Sequence, residues 1–220
     1  ASALPERVRA FEAFKRVETP VVPDVPFQML TALQLDNAAW AEIARNAPWQ
    51  MTRMNLNTFA RHDVFADRKL VQLIAERLRD ERAIRKARVL PYQLLAAFKN
   101  ADKSVPAVVV NALQDAMEIA IRNVPELPGR VVVCPDVSGS MHSAVTGYRK
   151  GATSTVRCID VAALVAAAFL RMNPDTVVMP FENKVVPVRL NPRDSVMTNA
   201  DKLAKLPAGG TNCSAPLRVL

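Results

Sequence analysis

The sequence predicts an α-helical repeat region over residues 1–128, followed by the first part of an open α/β sheet over residues 129–220. The first observation is the placement of glycine, because all 6 glycines lie at or after Gly129. A stretch without glycine avoids the left-handed turns of hairpins and phosphate loops and suits helices. The second observation is the spacing of apolar residues. It has the helical period in the first region and forms short, strand-like runs in the second.

The composition excludes several classes of protein. Half of the residues are apolar and 23% are charged, which is typical of a globular protein rather than a disordered one. The longest mostly apolar stretch, Val161 to Leu170, is about half of the ~20 residues that a membrane span needs. We therefore expect a cytoplasmic protein without a membrane segment. The net charge of +8 favours a polyanionic partner. The chain starts at Ala1 and stops at Leu220 within an apolar run, so we expect a fragment of both regions.

The elements of the first region follow from proline and from apolar periodicity. Prolines punctuate Glu18–Pro26 and predict an extended connector, because proline lacks a donor and restricts the preceding residue. Three stripes with helical spacing then predict helices, and Asp36 is a candidate N-cap of the first. Antiparallel stacking would bury these stripes as in helical solenoids. The stripes are Trp40, Ile43, Ala44 and Ala47; Leu70, Leu73, Ile74 and Leu78; and Val109, Leu113, Ala116, Met117, Ala120, Ile121 and Val124.

The second region opens after a boundary formed by Pro125, Pro128 and Gly129. The order strand, loop, helix and strand predicts the start of an open α/β sheet. The predicted elements are a buried strand over Arg130–Cys134, a helix over Val161–Met172, and two further strands over Thr176–Phe181 and Lys184–Leu190.

The most informative segment is the hexapeptide DVSGSM that follows the first predicted strand. Open α/β sheets bind ligands beyond the carboxyl ends of their strands, where this segment lies. Asp136, Ser138 and Ser140 could turn one carboxylate and two hydroxyls toward one point, with Gly139 permitting the bend. Thr211, in a later Gly-Gly-Thr segment, could add a third hydroxyl. These oxygen donors suit Mg²⁺ with several retained waters.

These residues resemble the metal-ion-dependent adhesion site of the von Willebrand factor A domain. The resemblance implies that Asp136, Ser138, Ser140 and Thr211 hold one divalent ion, whose open position accepts an acidic group from a partner. The family's further aspartate, in a third loop, is expected beyond the end of this chain. Pro135 departs from the pattern and is tolerable only if its nitrogen lies outside the hydrogen-bond ladder. The alternative is a serine-rich turn that caps the following helix.

Several motifs in a distinctive order extend the resemblance to both regions. They are Leu35–Asn37 before Trp40, Ala47–Pro48, Met51–Leu56, Arg85–Ala97 and Leu206–Ser214. This order is similar to the later HEAT-like repeats of the TROVE module of the Ro autoantigen family and the A-type domain that follows them. The resemblance implies a non-catalytic protein of a ribonucleoprotein. It implies binding of small structured Y-like RNA and of the 3′ ends of misfolded noncoding RNA, with an exoribonuclease or another RNA-processing protein as a partner.

Two groups of basic residues are candidates for RNA binding. Arg85, Lys86 and Arg88 end a basic run, and Arg149 and Lys150 lie between two glycines beside Tyr148, where phosphate contact or base stacking is feasible. For the first group, a solvated helix face with ion pairs is the ordinary alternative.

Two other functions remain open at the level of sequence. One is a metal-dependent protein-interaction adaptor with incidental basic charge. The other is an RNA-processing hydrolase, which has the least support because no convergent acid and base pair is recognisable.

Overall fold

The computed structural model describes residues 4–147 and 155–220. Two short strands, β1 (Val132–Val133) and β2 (Val177–Val178), form a parallel sheet. Short 3-10 helices cover Val64–Ala66, Ile121–Asn123, Gly139–His142 and Pro216–Arg218. The α-helices are α1 (Glu6–Lys15), α2 (Phe27–Leu30), α3 (Asn37–Asn46), α4 (Trp49–Met54), α5 (Leu56–Arg61), α6 (Arg68–Leu78), α7 (Glu81–Lys86), α8 (Pro91–Lys99), α9 (Ala107–Ala120), α10 (Cys158–Met172) and α11 (Val196–Ala204).

The three predicted apolar stripes fall on α3, α6 and α9, except that Ala47 lies just beyond α3 and Ile121 and Val124 lie beyond α9. Asp36 caps α3 as predicted, since its carboxylate accepts a 2.7 Å hydrogen bond from the Ala39 N–H. Trp40 and Ile43 of α3 are buried, as are Leu70 and Ile74 of α6. Between α1 and α2, the proline-rich connector forms no regular element. Helical structure in the first region is therefore confirmed, whereas its organisation into HEAT-like repeats stays a prediction.

The chain divides into two compact units. One contains the described part of Ala1–Leu78 together with Asp102–Val110, and the other contains Arg79–Ala101 together with the described part of Asn111–Leu220. Helices α7 and α8 thus belong to the same compact unit as the sheet. The domain boundary between residues 128 and 129 stays a prediction. Among the described residues, no helix has both the length and the apolar character that crossing a membrane requires.

The sheet and its crossover helix form the core of the second unit. Val132 lies opposite Val177, and an isolated parallel bridge between Asp136 and Phe181 continues the pairing beyond the strands. Helix α10 connects β1 to β2 and packs against α8 and α11. It begins three residues before the predicted start at Val161, and its apolar side chains, Leu164 among them, are buried. This arrangement places the loop after β1 and the residues after β2 at the same edge of the sheet.

The prediction of a strand over Lys184–Leu190 is wrong. Within this described segment, pairing is limited to an isolated antiparallel bridge between Val185 and Phe181. Pro187 interrupts the apolar alternation, and proline cannot donate to a ladder. The chain instead runs without a regular element into α11, which the sequence analysis did not predict.

Pro135 explains why the two strands are so short. The carbonyls of Val133 and Pro135 accept hydrogen bonds from Met179 and Phe181, and the Val137 N–H donates to the Phe181 carbonyl. In this alternating parallel ladder, position 135 is where a donor would face the Met179 carbonyl. The expectation that the Pro135 nitrogen lies outside the ladder is therefore wrong. The missing bond interrupts the sheet directly before Asp136.

Candidate functional site

The loop after β1 brings Asp136 and the two serines together. The Asp136 carboxylate accepts a 2.8 Å hydrogen bond from the Ser138 N–H, and the Ser138 and Ser140 hydroxyl oxygens lie 3.2 Å apart. Ser138 is fully buried, whereas Ser140 is exposed at the rim. The Ser138 side chain makes no capping hydrogen bond to the 3-10 helix that follows, which argues against the alternative of a serine cap. Gly139 does not have a positive φ, so the bend does not require glycine there.

The loop that carries Thr211 contacts both strand ends. The Gly139 N–H donates to the Gly209 carbonyl over 2.9 Å, and the Asn212 N–H donates to the Glu182 carbonyl over 2.8 Å. Thr211 itself is exposed and lies between these two backbone contacts along the chain. The contacts bring the Thr211 loop against the aspartate-serine loop and the end of β2. Metal binding by Asp136, Ser138, Ser140 and Thr211 stays a prediction.

Two glycines before Thr211 lie close to side chains that follow β2. A Cβ atom built on Gly209 would lie 1.9 Å from Oε2 of Glu182, and one on Gly210 would lie 2.5 Å from Oδ1 of Asn183. A side chain at either position would therefore have to displace the end of Glu182 or of Asn183. Asn183 is exposed, whereas Glu182 is mostly covered, so the closer packing is at Gly209.

Glu182 is the acidic residue of this site that sequence reasoning missed. It is only 9% exposed and follows Phe181, the residue that pairs with Asp136. The signal that could have found it is its position, because it follows the second predicted strand at the same edge of the sheet as the DVSGSM loop.

A buried ionic cluster, also not predicted, contacts the residues that follow β1. Asp160 of α10 is 4% exposed and binds Lys99 of α8 at 2.8 Å and the Arg157 guanidinium at 2.9 Å. Burial acts to raise the pKa of Asp160, but the hydrogen bonds from Arg157 and Lys99 lower that pKa to about 2. Arg157 also donates to Nδ1 of His142 over 3.0 Å, so the cluster links two helices to the loop that follows Ser140.

The basic run before Pro91 contains residues with different roles. Arg77 donates to the carbonyls of Ala44 and Arg45 at 2.7 and 2.6 Å, and burial lowers its pKa, so it serves the fold. Arg79 pairs with Asp115 at 2.6 Å. These two arginines are occupied within their own compact units.

The candidate RNA-binding residues of this run are more exposed. Arg85 forms an i,i+4 ion pair with Glu81 at 2.6 Å, as the alternative of a solvated face with ion pairs expects. Lys86 and Arg88 are exposed, and neither has an ion pair with any residue that the structure describes. Arg149 and Lys150 lie outside the described residues.

Arg88 has an unusual backbone conformation for a side chain of its size. Its φ is 48°, in the left-handed region. The Arg88 N–H donates to the Arg85 carbonyl and the Val89 N–H to the Ile84 carbonyl, which is the Schellman pattern that ends a helix. Glycine is the usual residue at this position, so an arginine here is retained at a conformational cost.

Comparisons with known proteins agree with this fold. Residues 130–219 match the family model of the Ro60 vWA domain. RNA-binding protein RO60 of Deinococcus radiodurans is 31% identical over 176 residues, which cover 74% of this chain and 32% of that protein. A crystal structure of the Deinococcus radiodurans Ro (RSR) protein has the same fold, with a TM-score of 0.71 and 24% identity over 96% of this chain and 43% of that chain.

The chain therefore spans about a third of the length of this curated relative. The match to the A-type domain begins one residue after Gly129, and the structural similarity extends to the helical region as well. Together, the family model, the curated relative and the solved structure show that the chain is a relative of the bacterial Ro proteins.

Proposed function

We propose that the chain is part of a non-catalytic RNA-binding protein of the Ro type. The observation that carries the proposal is the similarity to RNA-binding protein RO60, which extends over 74% of the chain. The net charge of +8 supports a polyanionic partner. The proposed ligands are noncoding RNAs in the cytoplasm, namely small Y-like RNA and the 3′ ends of misfolded RNA, with an exoribonuclease or another RNA-processing protein as a partner.

The RNA surface that we propose includes Arg85, Lys86 and Arg88. Lys86 and Arg88 project from the end of α7 without charge partners among the described residues, so their charges are available to phosphates. Arg85 shares Glu81 with Arg122, whose Nη1 lies 2.7 Å from the same carboxylate oxygen. Breaking the exposed ion pair between Arg85 and Glu81 costs little free energy, because such pairs contribute only about 0 to 1 kcal/mol to stability.

The experiment replaces Arg85, Lys86 and Arg88 with glutamine and measures RNA affinity as a function of salt concentration. The expected result is weaker binding and a salt slope smaller by about two, because each lost phosphate contact on single-stranded RNA removes about 0.7. The matched control replaces Arg189, Arg193 and Arg218 with glutamine. These arginines are also exposed and lie in the same compact unit. Equal losses in the two triple variants would show that net charge, not this surface, governs binding.

We also propose that Asp136, Ser138, Ser140 and Thr211 hold Mg²⁺. The donor set is entirely hard oxygen, and backbone hydrogen bonds on both sides of Thr211 join its loop to the two strand ends. The bound ion would supply a charged centre for the structure of the loops or for an acidic group of a partner. In this proposal the chain's own residues orient the site and carry out no bond cleavage.

The alternative is a protein-interaction adaptor, which the exposure of Ser140 and Thr211 at the rim favours. The variant Asp136→Ala separates the two functions. RNA affinity equal to that of the wild type, with loss of a copurifying protein partner, would support the adaptor function at this site. Loss of RNA affinity in a folded Asp136→Ala protein would count against a separate adaptor site.

A further inference from the structure

Glu182 is a mostly covered glutamate without a charge partner among the described residues. Its relative exposure is 9%. Among the residues that the structure describes, its side chain has no ion pair within 4.0 Å and no hydrogen bond. The adjacent Lys184 is exposed and forms no ion pair with it. Glutamate is seldom this covered without a charge partner, so the residue calls for an explanation.

Both the backbone and the side chain of Glu182 face the loop that carries Thr211. The Glu182 carbonyl accepts the Asn212 N–H at 2.8 Å. On the side-chain end, a Cβ atom on Gly209 would lie 1.9 Å from Oε2 and 2.9 Å from Cδ of Glu182. The carboxylate therefore packs directly against the backbone of Gly209. Gly209 is also the residue whose carbonyl accepts the hydrogen bond from the Gly139 N–H.

Glu182 lies at the same edge of the sheet as Asp136. Phe181, which precedes Glu182, pairs with Asp136 across the sheet, and the Phe181 carbonyl accepts the Val137 N–H at 2.9 Å. A divalent ion held by Asp136 would attract a carboxylate at this edge.

We propose that Glu182 is an anionic positioning residue of the metal centre, which fixes the Gly209–Gly210–Thr211 loop and strengthens cation binding without being one of the predicted ligands. The inference rests on the proposed metal site and extends it. When bound, the ion would supply the positive charge that Glu182 lacks among the described residues. The carboxylate packs against Gly209 and thereby sets the position of Thr211, two residues further along.

The experiment compares wild type and Glu182→Gln by thermal unfolding in EDTA and in a series of Mg²⁺ concentrations, and by Mn²⁺ binding followed by electron paramagnetic resonance. The glutamine is nearly isosteric and removes only the charge. In EDTA the variant is expected to be at least as stable as the wild type, because the charge that it removes has no partner among the described residues. The apparent Kd for Mg²⁺ and for Mn²⁺ is expected to rise about tenfold, because the variant lacks a negative charge that attracts the ion.

Glu126→Gln is the matched control, because Glu126 is an exposed carboxylate of the same compact unit and precedes β1 rather than following a strand. It should leave both readouts unchanged. Glu182→Asp keeps the charge and should retain more of the Mg²⁺-dependent stabilisation than Glu182→Gln. This second variant provides the comparison if the glutamine variant does not fold.

The outcomes distinguish this inference from the metal site on which it rests. If the wild type binds the ions and Glu182→Gln binds them equally well, only the role of Glu182 is overturned. Equal destabilisation of the variant in EDTA and in saturating Mg²⁺ would indicate a purely structural side chain and would also overturn it. If the wild type neither binds Mn²⁺ nor gains stability from Mg²⁺, the metal site and the role of Glu182 fall together.

Discussion

The backbone N–H of Gly139 donates a 2.9 Å hydrogen bond to the carbonyl oxygen of Gly209. This bond joins the aspartate-serine loop after β1 to the segment that leads into Thr211. Gly209 also lies against the carboxylate of Glu182. Gly209 thus has both a hydrogen bond and a packing contact, and a displacement of its backbone would displace the loop that carries Thr211.

Gly209→Ala is expected to destabilise the second compact unit by about 1 to 3 kcal/mol, the usual cost of forcing an extra carbon into a packed site. The added Cβ would lie 1.9 Å from Oε2 of Glu182, so this mostly covered side chain would have to shift to admit it. The free energy of unfolding, measured with urea, checks this expectation.

Gly139→Ala is the control from the other side of the same hydrogen bond. A Cβ atom at Gly139 would lie 3.5 Å from the Gly209 carbonyl oxygen, an ordinary contact, and Gly139 does not have a positive φ. The free energy of unfolding of this variant should lie within about 0.5 kcal/mol of the wild-type value. The exception is the stabilisation that comes from a less flexible unfolded chain when glycine is replaced. Equal stability of the two alanine variants would mean that the packing around Gly209 is looser than the distances indicate.

Much of the fold was accessible from the sequence because local rules determine it. The apolar stripe and the Asp36 cap predict α3, and the buried apolar run predicts most of α10. The rule that ligands bind beyond the carboxyl ends of strands selected the loop after β1. The contact between Gly139 and Gly209 agrees with the expectation that this loop and the Gly-Gly-Thr segment meet, while the metal itself stays a prediction.

The residues that were missed depend on contacts distant in the sequence. Glu182 is an ordinary polar residue by local pattern, and its burial arises only when Gly209 approaches it. Asp160 is buried because Lys99, from another helix, reaches its carboxylate. A strand was predicted over Lys184–Leu190 from its apolar residues, although the segment contains a proline, which cannot donate a hydrogen bond to a ladder. The local pattern was therefore misleading.

Asp160→Asn is expected to lower the free energy of unfolding at pH 7 by about 2 kcal/mol, from a pKa difference of nearly two units between the folded and unfolded states. Asp160 has its pKa lowered to about 2 by Arg157 and Lys99, despite the opposing effect of burial. A lowered folded-state pKa gives stability that is present above the unfolded pKa near 4 and is lost as the pH falls toward 2. The difference between wild type and variant should therefore shrink over this pH range.

Urea unfolding at several pH values measures that difference. Asp115→Asn is a suitable control, because Asp115 also pairs with an arginine, Arg79, but has a side chain that is 54% exposed. An exposed pair contributes at most about 1 kcal/mol, so this variant should show a smaller effect. A destabilisation by Asp160→Asn that is the same at pH 7 and at pH 2.5 would exclude the proposed electrostatic origin.

Arg88→Gly separates the conformational cost of Arg88 from its charge. Glycine adopts the left-handed conformation at φ 48° without strain, so the variant should be more stable than Arg88→Ala by about 1 kcal/mol, as measured by thermal unfolding. Both variants lose the same charge and should lose RNA affinity equally, with a salt slope smaller by about 0.7. If the more stable glycine variant also bound RNA as tightly as the wild type, Arg88 would have no role in RNA binding and would only end helix α7 at a conformational cost. The RNA surface would then have to be sought elsewhere.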